Sequence, residues 1–261
     1  MSSKTEIQDS RCTDLHGQKN RSIDVAELKA QCLHCDMNPV CHPPSLNVAE
    51  LDSLDQWFPT RRRLQRGETL YDLGETFNAL YAVRSGFFKT LLPNRDQRDQ
   101  VTGFLMTGEI IGMDGISSGQ HACRAVALEV SEVCIMPYGN VDQIEASFLN
   151  LHAHLNRLMS QRIVQDQAAF KILANMRSEA RLAAFILDLG KRFAHLGYSS
   201  NTFVLRMTRE EIGSYLGLSL ETVSRLFSRF QEDGLVDVQT RHLQITNPDG
   251  LAEIAGGRPA H

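Results

Sequence analysis

The apolar positions of this chain change rhythm along its length. From Arg61 to Pro137 they fall in short β-rich runs broken by glycines at 67, 74, 86, 103, 108, 112, 115 and 119. Examples are Ala79-Leu-Tyr-Ala-Val-Arg-Ser85 and Ser131-Glu-Val-Cys-Ile-Met136. Many short strands separated by glycine turns predict an antiparallel roll or jelly roll. From 141 to about 173 the spacing becomes helical, with Leu151, Leu155 and Leu158 in one stripe suited to packing against the roll. Met159, Ile163, Asp166, Phe170 and Leu173 form a second stripe spaced 4-3-4-3, the seam of a two-stranded coiled coil. Asp166 is its odd member. In a symmetric dimer it faces its own copy, and like charges there oppose association, unless the side chain turns outward to Arg162 four residues earlier.

Helical spacing continues to the C-terminal region. Ser178 is positioned to cap a helix that buries Leu182, Phe185, Ile186, Leu189 and Phe193 and stops at Gly197. Thr208-Arg209-Glu210-Glu211 reads as a capping box opening a second helix with Ile212 and Leu216 inside. Gly217 permits a tight turn and Ser219 caps a third helix, on which Val223, Leu226, Phe227 and Phe230 make one narrow apolar face. Glu221, Ser224, Arg225 and Ser228 project from the other side. This is the layout of a helix-turn-helix, whose second helix enters the major groove. There arginine can grip guanine with two hydrogen bonds and glutamate can accept from cytosine. An ordinary helical hairpin with a solvated polar face is the competing reading. Gly234 ends the helix, Leu235–Val238 and Leu243–Ile245 predict a small β-wing, and the last dozen residues are expected to be loose.

Composition sets the limits. With 261 residues the chain is long enough for two cores, and 42% hydrophobic and 22% charged residues are typical of a soluble globular protein. A net charge of -4 argues against a non-specific nucleic-acid coat, so DNA contact must come from a local surface, doubled by a dimer. The N-terminal residues form no apolar signal segment, and no run of about 18 apolar residues follows. A cytoplasmic location is therefore expected, with no membrane partner. In that compartment six cysteines are metal ligands or bystanders rather than a disulfide framework.

Residues 1 to 22 read as a polar arm in which Cys12 is a bystander, and Asn47–Glu50 as the cap of a short helix through Trp57. Between them Cys32-Leu-His-Cys35-Asp-Met-Asn-Pro-Val-Cys41 places three thiols within ten residues, and thiolates rarely gather without a metal to neutralise them. A fourth ligand must come from nearby (His34, His42) or from afar (Cys123, Cys134). The count suits an iron–sulfur cluster with three local thiolates and one remote, and a structural zinc remains open because the spacing matches neither ferredoxin pattern nor paired zinc knuckles. Arg61-Arg62-Arg63 reads as a solvated strand edge in preference to a nucleic-acid patch.

The order of roll, seam helix and winged helix-turn-helix resembles the CRP/FNR family of bacterial transcription regulators, from about Cys32 to about Gly256. The specific pieces are Cys32-x2-Cys35-x5-Cys41, Tyr81-Ala-Val-Arg-Ser-Gly86, Arg181-Leu-Ala-Ala-Phe185 and Gly213-Ser-Tyr-Leu-Gly-Leu-Ser-Leu-Glu-Thr-Val-Ser-Arg225. The cysteines place it nearest the oxygen-sensing FNR branch. The resemblance implies an α+β fold: a cyclic-nucleotide-binding-like β-roll at 46–140, a dimerisation helix at 141–173 and a winged helix-turn-helix at 174–248, flanked by a 1–45 arm and cluster segment and a 249–261 tail.

It further implies a [4Fe–4S] cluster on Cys32, Cys35, Cys41 and Cys134, the last favoured over Cys123 by the motif Leu128-Glu-Val-Ser-Glu-Val-Cys-Ile-Met-Pro-Tyr138. The base-reading trio falls on Glu221, Ser224 and Arg225, and the aspartate that keeps the cluster-free protein monomeric falls on Asp166. The implied activity is a homodimer, closed without oxygen, that binds a TTGAT-type inverted repeat and recruits RNA polymerase. The polymerase-contact loop corresponds to residues 92–98, which differ from the family in charge and lack its usual glycine. Two rivals stand beside this reading. A cyclic-nucleotide-responsive regulator would need an Arg-Ser pair after Gly108-Glu109, whereas Arg124 is displaced and has no accompanying serine. A redox enzyme or electron carrier would need a nucleotide fingerprint, a triad or paired carboxylates, and none can be placed.

Overall fold

The computed structural model describes residues 60–93, 99–140 and 149–256. The N-terminal arm, the 32–41 cysteine segment, the expected 47–57 helix and the centre of the 92–98 loop lie outside them. The first part is a roll of two four-stranded antiparallel sheets. One runs β1 (Thr60–Leu64), β8 (Ser131–Pro137), β3 (Ala79–Ser85), β6 (Ile110–Ile111). The other runs β2 (Thr69–Tyr71), β7 (Arg124–Ala127), β4 (Phe87–Leu92), β5 (Gln100–Met106). The two strands anticipated at 79–85 and 131–136 form with those bounds or one residue beyond.

The second sheet is buried on both faces, and its side-chain alternation sorts the apolar residues between two cores. Phe88, Leu105, Ala125 and Ala127 point into the roll with Leu64, Leu70, Tyr71, Val83, Ile111 and Val133. Their neighbours Phe87, Phe104, Met106, Val126 and Leu128 point outward, into a core shared with the C-terminal domain. Gly86 makes the tight β3–β4 turn at φ +97, where a Cβ would overlap the Ser131 side chain that accepts the Phe87 amide.

The long helix α1 spans Leu149–Asn175. Leu158 packs against the roll as its stripe predicted. Helix α2 (Ser178–His195) buries Leu182, Phe185, Ile186 and Leu189, with Phe193 half-buried and stacked on Phe203 at 5.0 Å. Ser178 is not its cap: Arg177 occupies that position in extended conformation and makes no side-chain cap bond. Helices α3 (Arg209–Leu216) and α4 (Leu220–Glu232) follow, then a three-stranded sheet in the order β10 (Val236–Gln239), β11 (His242–Ile245), β9 (Thr202–Val204). The wing is therefore joined by a third strand that the sequence pattern did not announce.

The expected loose tail is corrected as well. Pro248–Ile254 form helix α5, capped by Asn247 and opened by proline at its first position, where no amide donor is needed. Leu251 is fully buried in the C-terminal core. Polar contacts at the edges of the shared core hold roll and C-terminal domain together. Lys89 Nζ lies 2.8 Å from Glu211, Arg192 lies 2.7 Å from Glu109, and the Val101 amide donates to Ser214 Oγ at 2.9 Å.

Leu251→Ala leaves a cavity in that core and should destabilise the protein by about 2–5 kcal/mol in denaturant unfolding. An unchanged unfolding midpoint would show that the terminal helix contributes nothing to the domain.

Candidate nucleic-acid interface and cofactor-binding thiols

Local sequence builds the helix-turn-helix. Thr208 Oγ1 accepts the Glu211 amide and Glu211 returns a bond to the Thr208 amide, so both halves of the capping box are made. Gly217 closes α3 at φ +65, in the left-handed region where a side chain is disfavoured. Ser219 Oγ then takes the Thr222 amide at 3.1 Å to start α4. Val223, Leu226, Phe227 and Phe230 all point inward. Glu221 and Arg225 are exposed and Ser224 is half-exposed on the opposite side, so the structure brings the three expected base-reading residues onto one open face.

The electrostatics of that face suit base edges. The Glu221 carboxyl is held below the ordinary glutamate range by bonding to its own amide at the helix start, then by the Ser219 hydroxyl and the Arg225 charge. It is therefore an ionised acceptor at neutral pH. Among the described residues Arg225 Nη2 makes only a long 3.5 Å contact to Thr222 Oγ1, which leaves its donors available to a guanine. The sequence reading passed over Thr222, which links the Ser219 cap (hydroxyls 3.0 Å apart) to that guanidinium.

Cys12, Cys32, Cys35 and Cys41 lie outside the described residues. The two remaining cysteines sit in different surroundings. Cys134, on β8, is buried in an apolar cluster with Leu80, Ala82, Ile110 and Met136, and Leu158 of α1 packs against the same cluster. Cys123 sits in a polar knot. Its thiol is 3.4 Å from Asp114 Oδ2, which also accepts the Ala122 amide, while the Tyr71 hydroxyl bonds the other Asp114 oxygen at 3.1 Å. Burial, and then the neighbouring Asp114 charge, push the Cys123 thiol up to about 12. It stays protonated at neutral pH. Among the described residues no group of three or more His, Cys, Asp or Glu side chains is arranged to hold a metal. A ligand set that includes Cys134 therefore has to draw its other members from elsewhere in the chain.

Between the roll and α1 lies an open cleft of about 660 Å³, lined by Tyr71, Asp114 and Cys123 on one side and Arg162 and Phe170 on the other. Glu109 is bound by Arg192 and accepts the Met106 amide. Arg124 is at the surface, paired with Asp72 at 2.6 Å and Asp99 at 3.1 Å. The Arg61–Arg63 run lies on edge strand β1, as expected, but it is less solvated than expected. Arg61 lies 3.8 Å from Glu132, and Arg62 donates to the carbonyls of Thr69 and Leu70.

On α1 the expected seam is only partly exposed. Ile163 and Phe170 are 58% and 72% exposed, while Met159 and Leu173 are half-buried. Asp166 turns to Arg162, at 3.0 Å. Val164, outside the predicted stripe, is also exposed at 62%. No helix among the described residues is long and apolar enough to cross a membrane.

Comparison with known proteins agrees with this architecture. A family model described as "Cyclic nucleotide-binding domain" matches residues 61–147, and one described as "Crp-like helix-turn-helix domain" matches residues 180–254. The chain is 43% identical to the transcriptional regulatory protein btr of Bordetella pertussis over 90% of its own length and 98% of that protein. It is 41% identical to the fumarate and nitrate reduction regulatory protein of Escherichia coli, over 90% of this chain and 94% of that one. Among solved structures, FixK2 from Bradyrhizobium japonicum superposes with a TM-score of 0.70 at 23% identity, covering 77% of this chain and 98% of that one, which supports the fold alone. The matched proteins are regulators and not enzymes. With the roll, the helix-turn-helix and these relatives in agreement, the chain belongs to the CRP/FNR family of DNA-binding transcription regulators.

Proposed function

We propose that this regulator responds to oxygen through a [4Fe–4S] cluster held by Cys32, Cys35, Cys41 and Cys134, and that it acts as a homodimer on TTGAT-type inverted repeats. When bound, such a cluster supplies an oxygen-labile link between chain segments that are far apart in sequence. The observation that carries the reading is the setting of Cys134, whose thiol shares one packed cluster with Leu158 of α1. A change at that thiol is coupled to the helix carrying Ile163, Asp166 and Phe170 through the side chains of that cluster. The likeness to the fumarate and nitrate reduction regulator supports the same assignment.

Arg162 and Asp166 set the balance of the seam. In one chain the aspartate is satisfied by an i, i+4 pair, a contact worth roughly 0.3–0.5 kcal/mol at a helix surface. Bringing two copies together sets two carboxylates near the two-fold axis, offset by burial of Ile163 and Phe170 on both sides. An equilibrium held near balance needs a bias of only about 5 kcal/mol to move from almost all monomer to almost all dimer. The dimer then presents two copies of Glu221, Ser224 and Arg225 to successive major grooves, and contact with RNA polymerase follows from the paired complex.

Three measurements test this. Cys134→Ser should abolish the visible absorption and the bound iron and sulfide of anaerobically purified protein, whereas Cys123→Ser should retain both. Colourless wild-type protein containing zinc would overturn the cluster assignment. Asp166→Ala should raise the dimer fraction in air by sedimentation, and an unchanged fraction would remove this residue from the switch. Arg225→Ala should weaken operator binding by about 1–3 kcal/mol and relax the preference at one base pair, and a loss shared equally by all sequences would refute its base-reading role.

A further inference from the structure

The second sheet of the roll ends in an open edge, because among the described residues β5 pairs with β4 alone. Main-chain donors and acceptors on an edge that is covered need partners. Helices of the DNA-binding domain supply them. The Val101 amide donates to Ser214 Oγ of α3 at 2.9 Å, and the Gln100 side-chain amide donates to the Ser214 carbonyl. The Phe104 carbonyl accepts from Arg192 of α2 at 2.8 Å. One strand inward, Lys89 of β4 donates to Glu211 of α3, also at 2.8 Å. Gly103 lies between these contacts and lets the long helix come close: a Cβ there would stand 3.2 Å from the Arg162 guanidinium of α1.

Residues 101–104 are therefore a common reference for three helices. Helix α1 carries the seam residues, α2 follows it, and α3 is joined to the reading helix α4 by a tight turn at Gly217. Glu211 and Ser214 are three residues apart and share the face of α3 that meets the roll. The apolar core below also joins the domains, but apolar burial is non-directional. A hydrogen bond instead weakens steeply once its length and angle leave a narrow range. The polar edge is thus the part of the junction most sensitive to where α3 and α4 stand relative to α1.

We propose that this strand edge is a ruler that sets the half-site spacing the regulator accepts, with Ser214 and Lys89 as its positioning residues. Neither has to touch a base. The proposal rests on the homodimer and inverted repeat proposed above, and is independent of cofactor and oxygen. Adding one base pair between half-sites moves them apart by about 3.4 Å and turns one against the other by about 35°. Shared between two chains, that is a shift of about 1.7 Å for each α3–α4 unit, enough to carry the Val101–Ser214 contact beyond hydrogen-bond reach.

The test uses full-length, anaerobically purified protein. The duplexes carry the TTGAT inverted repeat with the preferred spacer, the same repeat with one base pair added or removed, and a single half-site. Ser214→Ala combined with Lys89→Met removes both ties. The discrimination against altered spacers should fall on the order of tenfold, while the affinity for the single half-site and the dimer fraction stay unchanged. Ser214→Thr combined with Lys89→Arg, which keep a hydroxyl and a cation, should restore the discrimination. If the double variant folds poorly, Ser214→Ala alone should show a smaller loss in the same direction. A variant that had only lost stability would weaken on every duplex alike, so unchanged spacer ratios in a folded variant would overturn the ruler. Hydrogen exchange at the Val101 amide, slow in the wild type and fast in the variant, reads the tie within one chain, and equal rates would overturn it too. A wild type that sediments as a monomer on the repeat would overturn the dimer reading itself, and the ruler with it.

Discussion

The architecture depends on one sheet having no solvent face. Along β4, β5 and β7 successive side chains go alternately to the roll interior and to the C-terminal core. A one-residue slip would exchange Phe88 for Phe87 and spoil both cores at once, so register is strongly specified. The consequence is mechanical. The DNA-binding domain is not tethered by a linker but shares a hydrophobic core with the roll. Lys89–Glu211 adds a polar tie in which the carboxylate that caps α3 is also held by a lysine of the roll.

The long helix shows the opposite condition. Leu158 is engaged by the roll, yet Ile163, Val164 and Phe170 stay largely in water within one chain. Under the proposed function, exposed apolar surface next to a charged residue serves a reversible association: burial favours closure, and Asp166 opposes it. On that reading the pair with Arg162 keeps the aspartate satisfied while the seam is open. Sensing then needs no large rearrangement. A modest bias acting through the cluster of side chains around Cys134 is enough.

Much of this was legible in the sequence, because the relevant signals are local. The capping box at Thr208, the left-handed Gly217, the Ser219 cap and the apolar stripe of α4 each involve residues within one or two turns, and all four formed as expected. Where local signals conflicted, the reading failed. The last dozen residues were expected to be loose, yet proline is tolerated at the first position of a helix and Leu251 had a core to enter. Ser178 looked like a cap, but the chain places Arg177 in the extended position and Ser178 already inside the helix.

The sequence by itself determined which residues share a face, and with it the order of roll, long helix and winged helix-turn-helix, and the trio Glu221, Ser224 and Arg225. Only the tertiary structure decided which element covers each face and which charges meet. Glu109 is engaged by Arg192, the Cys123 thiol is kept protonated by burial and then by the Asp114 charge, and Arg209 rests on the Phe227 ring. Periodicity reports the direction a side chain points relative to its own backbone. It carries no information about a partner many residues away, and ionisation and ligand capacity are set by that partner.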